Sequence, residues 1–259
     1  MTHTIFITGG TSGIGLELAK VYLRKGWRVG VCGREAEKFH SNFDSQRDRV
    51  QFYPLDVADR TAVRAAVLDF AKPTGLGIMV ASAGMSYAHK TKVPDFALTY
   101  RMVHVNLLGV MYAFEAALEV MIPQGGGQLV AISSLAGYNG FPGTSGYSAT
   151  KAGVMKFCES LSLDLGKLGV HVTCVCPGFV DTPLTRANAH PMPFLVSAPS
   201  AALRIERAVT ARRRWVHFPF FFSWFVRLLA LLPRPLYRLV MSHKAFNFSR
   251  DSRPKEALT

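Results

Sequence analysis

Short, nearly unbroken apolar runs alternate along the chain with longer stretches in which apolar residues recur every three or four positions. The runs are Thr4–Thr8, Arg28–Cys32, Val50–Leu55, Gly77–Ser82, Gln128–Ser133 and Val170–Cys176. Rich in Val, Ile, Phe and Cys and lacking polar alternation, they predict strands buried on both faces. The stretches at about Gly13–Lys25, Arg60–Ala71, Phe96–Met121 and Tyr147–Leu168 predict helices. Strand and helix alternating this often predict an α/β fold, a parallel sheet with right-handed crossovers and helices on both faces. No linker or internal repeat divides residues 1–198, which read as one unit. Beyond them the composition changes sharply.

Composition narrows the picture. A chain of 259 residues that is 49% hydrophobic and 18% charged buries a sizeable core, which excludes wholesale disorder. Twenty-two glycines and 14 prolines without a period exclude a collagen-like or low-complexity chain. Four cysteines do not make a disulfide framework, and Cys174 and Cys176, two apart on a strand, read as small buried hydrophobes. The eight histidines are scattered without ligand spacing, so no metal site is expected. The N-terminus runs straight into a strand pattern with no basic leader, which predicts a cytoplasmic setting. The net charge of +13 is uneven: residues 200–259 hold 12 basic against 3 acidic side chains. Such an excess points to a polyanionic partner or a solvated basic surface.

Three groups of residues carry chemistry. Thr8-Gly-Gly-Thr-Ser-Gly-Ile-Gly15 follows a strand and opens a helix, as a dinucleotide phosphate loop does. Gly9, Gly13 and Gly15 allow the tight turn, the close approach and the helix packing. Thr11 and Ser12 add hydroxyls beside amides that favour an anion. The second strand ends in Gly33-Arg34, where an acidic residue usually holds the ribose of a cofactor without a 2′-phosphate. A guanidinium suits a 2′-phosphate, so NADP(H) is expected in preference to NAD(H), with Glu35 next door opposing. Tyr147 and Lys151 lie one helical turn apart, an arrangement expected to lower the phenol pKa and make it an acid/base. Ser134, thirteen residues upstream at a strand end, is placed to return beside that phenol.

Thr8-Gly-x-x-x-Gly-Ile-Gly15, Leu55-Asp-Val57, Val105-Asn106, Ser133-Ser134, Tyr147-x-x-x-Lys151 and Pro177-Gly178 together closely resemble the short-chain dehydrogenase/reductases, in order and spacing over residues 1–185. The resemblance implies a Rossmann-type doubly wound parallel sheet of about seven strands and a tetrad of Asn106, Ser134, Tyr147 and Lys151. In it Asn106 holds a water in a relay to Lys151, Ser134 orients the substrate carbonyl, and Tyr147 exchanges the proton. Lys151 also binds the nicotinamide ribose. The resemblance further implies adenine contacts from Asp56 and Val57, with Val180 and Thr182 at the carboxamide and phosphates. It implies close approach of the adenosine ribose to Ala83 and Gly84, and a homodimer or homotetramer. One departure stands out: Ala81-Ser-Ala-Gly84 replaces the family's Asn-Asn-Ala-Gly, and with Ser82 shorter than the usual Asn a sheet-stabilising hydrogen bond is expected to be lost or replaced by water.

The substrate expected is a small apolar carbonyl or alcohol, fatty or sphingoid-like, covered by Ala187–Pro199. Met85, Tyr138, Phe141, Phe179, Met192, Phe194 and Leu195 are the candidate wall. Residues 199–259 are read as a covering segment, a last edge strand within Arg212–Pro219, and a helical arm. Phe220–Leu232 carries one charge, Arg227, and Pro233-Arg-Pro235 separates it from Leu236–Met241. A helix of that length, about 20 Å, is too short to span a bilayer. The arm reads as a lid or oligomer interface, or as a peripheral anchor on an anionic membrane face. A catalytically idle dinucleotide-binding scaffold on the membrane is the alternative, and retention of Ser134, Tyr147 and Lys151 argues against it. No nucleic-acid module is recognisable.

Overall fold

The computed structural model describes residues 2–43, 49–87, 93–186 and 191–242. Six apolar runs and one late segment form a seven-stranded parallel sheet: β1 (Thr4–Thr8), β2 (Arg28–Gly33), β3 (Val50–Pro54), β4 (Ile78–Ala81), β5 (Gly127–Ile132), β6 (Val170–Pro177) and, after a minor pair β7 (Val180–Asp181) and β8 (Val196–Ser197), β9 (Trp215–Phe218). Their order is β3-β2-β1-β4-β5-β6-β9, so the winding reverses between β1 and β4. Carboxyl ends of strands at such a reversal leave a crevice between their loops, where ligands bind in open α/β sheets.

The pleat sorts β1 onto two cores. Ile5 and Ile7 face one, with Leu18, Val29, Ile78 and Ile205; Phe6 faces the other, with Phe70, Phe114 and Leu129. Helices α1 (Gly13–Arg24), α2 (Ala36–Phe43) and α8 (Ala198–Thr210) serve the first core, and α3 (Arg60–Ala71), α5 (Gly109–Met121) and α6 (Ser145–Asp164) the second. α2 turns Phe39 and Phe43 inward, but at eight mostly polar residues it is too short for that apolar face to stand out in the sequence.

The predicted helix Phe96–Met121 is three pieces. α4 (Phe96–Val103) passes into a π-helical turn, His104–Leu108, and then α5. One extra residue in the turn rotates the following face, and it delivers Asn106 into the interior. After α7 (Pro183–Arg186), α8 and β9, the arm forms α9 (Phe220–Leu231) and α10 (Arg234–Ser242), with the break at Leu232–Pro233. The edge strand and both arm helices fall where expected. Residues 187–190 of the expected covering segment and 243–259 of the arm lie outside the described residues.

Candidate active site

The carboxyl ends of β1, β2, β4, β5 and β6 surround a cleft of about 350 Å³. Gly9, Thr11, Ser12, Gly13 and Ile14 line it, as do Arg34, Asp56, Val57, Ala83, Gly84, Ser134, Tyr147, Lys151, Val180 and Thr182. Gly15 and Asn106 are the predicted positions that stand behind it, and both shape it from there. A Cβ on Gly15 would lie 2.4 Å from the Gly9 carbonyl oxygen, so only glycine lets α1 pack under the turn.

The phosphate end follows from that turn. Gly9 and Gly13 have φ of 65° and 54°, which glycine adopts without strain. A Cβ on Gly13 would meet Thr182 Cγ2 at 3.2 Å, so the glycine turn and the segment after β6 face each other closely. Ser12 caps α1 in extended conformation and its hydroxyl makes no cap bond, leaving the helix start without a side-chain partner. Open first-turn amides at the positive end of a helix fit a pyrophosphate.

At the end of β2, a Cβ on Gly33 would lie 2.8 Å from Thr11 Oγ1. A side chain at the position that usually carries a ribose-binding carboxylate would therefore displace the Thr11 hydroxyl. Arg34 is exposed at the rim, and Glu35 is engaged by Lys38 at 2.7 Å. Lys38, one helical turn beyond Arg34, also lines the cleft, and only that i,i+4 spacing hinted at it in the sequence. Across the cleft, burial pushes the Asp56 carboxyl up. The Ala58 amide at 3.0 Å, with Arg101 and Arg34, outweighs this and holds it below the usual range.

The end of the cleft that gathers the expected tetrad is tied together by buried hydrogen bonds. Asn106 is fully buried: its Oδ1 accepts from the Met85 amide at 2.8 Å, and its Nδ2 donates to Met85 O at 2.8 Å and Thr150 Oγ1 at 3.2 Å. The side chain is thus committed to the loop after β4. Thr150 Oγ1 passes the connection to the Tyr147 carbonyl at 2.8 Å. Lys151 Nζ donates to the Ile132 carbonyl at 2.8 Å, while Ser133 Oγ donates to Lys151 O at 2.8 Å. Gly84 completes the pocket; a Cβ there would sit 3.4 Å from Asn106 Oδ1 and 3.7 Å from Lys151 Nζ.

The expected lowering of the Tyr147 pKa by Lys151 is not what the geometry gives. Burial raises the phenol pKa, and the Ser134 hydroxyl is the group that opposes the rise. The ammonium lies over the ring, 5.6 Å from its centroid, and spends a proton on Ile132. Burial also pulls the Lys151 pKa down to about 8. Near neutrality the phenol is protonated and the lysine charged, the forms that donate to a developing alkoxide.

The loss of the family's asparagine at Ser82 is covered from another strand. Thr8 Oγ1 accepts from the Ser82 and Ala83 amides at 3.1 and 3.2 Å. Of the candidate apolar wall, Met85 lines the cleft. Tyr138 turns away, its hydroxyl 2.7 Å from His217 Nε2, and Phe141 packs against Leu229, Tyr237 and Met241 of the arm. Phe179 stacks on Phe222 of α9 at 5.7 Å between centroids, and Phe194 lies tilted against it at 6.1 Å. Phe222, which the sequence did not single out, also packs over Gly178.

Comparison with known proteins agrees with this site. The short chain dehydrogenase family model matches residues 3–192. An uncharacterized oxidoreductase of Myxococcus xanthus is 35% identical over 240 residues, covering 91% of this chain and 94% of that protein. An uncharacterized oxidoreductase of Staphylococcus aureus is 35% identical over 186 residues, 70% of this chain and 79% of that one. Among solved structures, a short-chain dehydrogenase from Streptomyces avermitilis superposes with a TM-score of 0.79 at 21% identity, covering 88% and 92% of the two chains. The protein ElxO with NADP bound superposes at 0.75 with 24% identity, covering 84% and 97%. With the glycine turn, the Ser134–Tyr147–Lys151 grouping and the seven-stranded sheet in place, this chain belongs to the short-chain dehydrogenases, oxidoreductases that use a nicotinamide dinucleotide.

Proposed function

We propose that this enzyme is an NADP(H)-preferring reductase of a lipophilic ketone or aldehyde, fatty or sphingoid-like in character. The crowded Gly33 carries the cofactor half of this reading. Gly33, crowded by Thr11 Oγ1 at 2.8 Å from a Cβ position, offers no carboxylate to read a bare ribose, while Arg34 and Lys38 rim the same end. A guanidinium and an ammonium suit a 2′-phosphate. The NADP held by ElxO, a neighbour in fold, supports the same choice.

The cofactor supplies a hydride, and the protein's own residues do the rest. Ser134 holds the substrate oxygen next to Tyr147, which donates the proton; Lys151, charged below about pH 8, stabilises the phenolate left behind. The aromatic surface of Phe179, Phe194 and Phe222 supports an apolar substrate. The buried thiols of all four cysteines support a reducing cytoplasm, and the apolar groove beside Leu118 and Ile122 supports a homo-oligomer.

Binding of NADPH and NADH and turnover of long-chain ketones test this together. Arg34→Ala should weaken NADPH by roughly 10- to 100-fold and NADH by less than about twofold. Folded Tyr147→Phe should lose roughly 10²-fold or more in turnover. Equal losses of both cofactors in Arg34→Ala overturn the NADP preference. Turnover confined to short polar carbonyls overturns the substrate class.

A further inference from the structure

We infer that the outer face of α9 and α10 docks on an anionic lipid surface and sets the active-site mouth against it. The inner face of α9 is fixed to the enzyme: Ser223, Val226 and Leu229 are buried, and Asn139 Nδ2 donates to Val226 O at 2.9 Å. The opposite face has no such partner among the described residues. Phe220, Phe221, Trp224, Phe225, Leu228 and Leu231 are exposed, Phe221 and Leu231 by 76% and 79%. At 100° per residue these six fall in one arc of roughly 140°, clear of the buried stripe. Phe194, 60% exposed and packed against Phe222, carries the apolar surface from α9 to the segment beside the candidate site.

Charge decides the occupant. Residues 207–242 contain seven arginines and no aspartate or glutamate. Arg227, at the edge of the apolar arc with its guanidinium 5.6 Å from the Trp224 ring, is exposed, as are Arg234 and Arg238 of α10. A second copy of the arm would bring arginines against arginines with no acid to pair them. A bilayer with anionic headgroups supplies apolar depth for the aromatics and negative charge for the fringe. With 12 residues, α9 is about 18 Å long and lies in the interface without crossing it. Docked in this way, the face that meets lipid is joined through Asn139 and Phe222 to the loop between Ser134 and Tyr147 and to Gly178. A lipophilic carbonyl then reaches the site from the membrane. This last step rests on the proposed substrate class; the docking does not.

The test is co-sedimentation of the full-length protein, without cofactor, with phosphatidylglycerol/phosphatidylcholine vesicles and with phosphatidylcholine alone. Trp224 emission and the turnover of a short soluble carbonyl are read in parallel. Binding to the anionic vesicles at low salt, with a blue-shifted emission and at least tenfold weaker binding to neutral ones, is the expected result. The F221S/L228S double variant should lose at least tenfold in vesicle binding and keep its thermal midpoint and soluble turnover. Wild-type chain left in the supernatant with both vesicle types overturns the docking, as does vesicle binding that the double variant retains. Equal binding to neutral vesicles also overturns it. A dimer that F221S/L228S dissolves, without vesicle binding, assigns the face to a second copy instead. Failure of docking with long-chain turnover intact leaves the proposed reaction standing. Docking without long-chain turnover removes the reaction and leaves the surface.

Discussion

α5 and α9 are both strongly apolar helices, of 13 and 12 residues, and they meet opposite environments. The helical run Phe96–Met121 that contains α5 has the length and hydropathy of a membrane span, mean hydropathy 1.3. Yet it lies against the sheet, where Val110, Ala113, Phe114, Ala117 and Met121 enter the core and Asn106 enters the hydrogen-bond network of the candidate site. α9 buries a three-residue stripe, turns Phe222 toward Gly178, and leaves its other four aromatics outside. Apolar content therefore does not say where a helix goes. Partners decide: α5 has β4, β5 and α3 to pack on, while α9 meets the end of β9, the loop around Asn139, Phe179 and Phe194, and the short α10. What α9 shows to the outside is surface available for function.

The sharpest way to break this comparison is to remove one ring from each helix. Phe114 is fully buried, so Phe114→Ala should cost about 3–5 kcal/mol in denaturant unfolding, from lost burial and an unfilled cavity. Phe221→Ala, on the outer face, should stay within about 0.5 kcal/mol. A comparable loss at both sites would mean that the outer face of α9 is packed in solution, against another copy of the chain.

The second contrast is between charges. The arm leaves Arg227, Arg234 and Arg238 in solvent, whereas Lys151 is buried at 5% exposure with its pKa pulled from 10.5 to about 8 by desolvation. The unfolded chain binds this proton more tightly than the folded one, so the buried charge destabilises the fold below pH 8. That penalty fades as pH rises from about 8 to 10.5. Lys151→Met should accordingly be more stable than wild type by about 2 kcal/mol at pH 7, after the lost bond to Ile132 is counted, and inactive. The gap should close between pH 8 and 10.5. A gap independent of pH would place the lysine's stability cost elsewhere than in its charge.

The sequence made most of the catalytic side legible for a physical reason. Strands buried on both faces must be continuous Val/Ile runs, and a phosphate turn must have glycine where φ is positive or a Cβ would collide. Tyr147 and Lys151 share a helix face by spacing alone. What was hidden depends on enclosure or on distance along the chain. The π-turn at His104–Leu108 shifts the register by one residue within a 26-residue helical run, below what periodicity resolves. The rise in the Tyr147 pKa comes from burial, which no local motif reports. Thr8 replaces the missing asparagine from a strand 74 residues away, and Tyr138 meets His217 across 79. The aromatic content of α9 was plain, but which rings face inward was set by the fold around Asn139 and Gly178.

The smallest effect probes what fastens the arm. Tyr237 is buried, and its hydroxyl donates to the Gly140 carbonyl at 2.7 Å, joining α10 to the loop between Ser134 and Tyr147. Tyr237→Phe keeps the ring in its contact with Phe141 and Leu229 and deletes that bond alone, which is worth about 1 kcal/mol. Because α10 has few other ties among the described residues, the loss should appear as local opening: amide exchange in α10 should quicken by roughly fivefold while exchange in α5 stays unchanged. If exchange quickens equally in both helices, the arm opens only with the whole domain. The contrast between a core helix and a separately fastened one would then be lost.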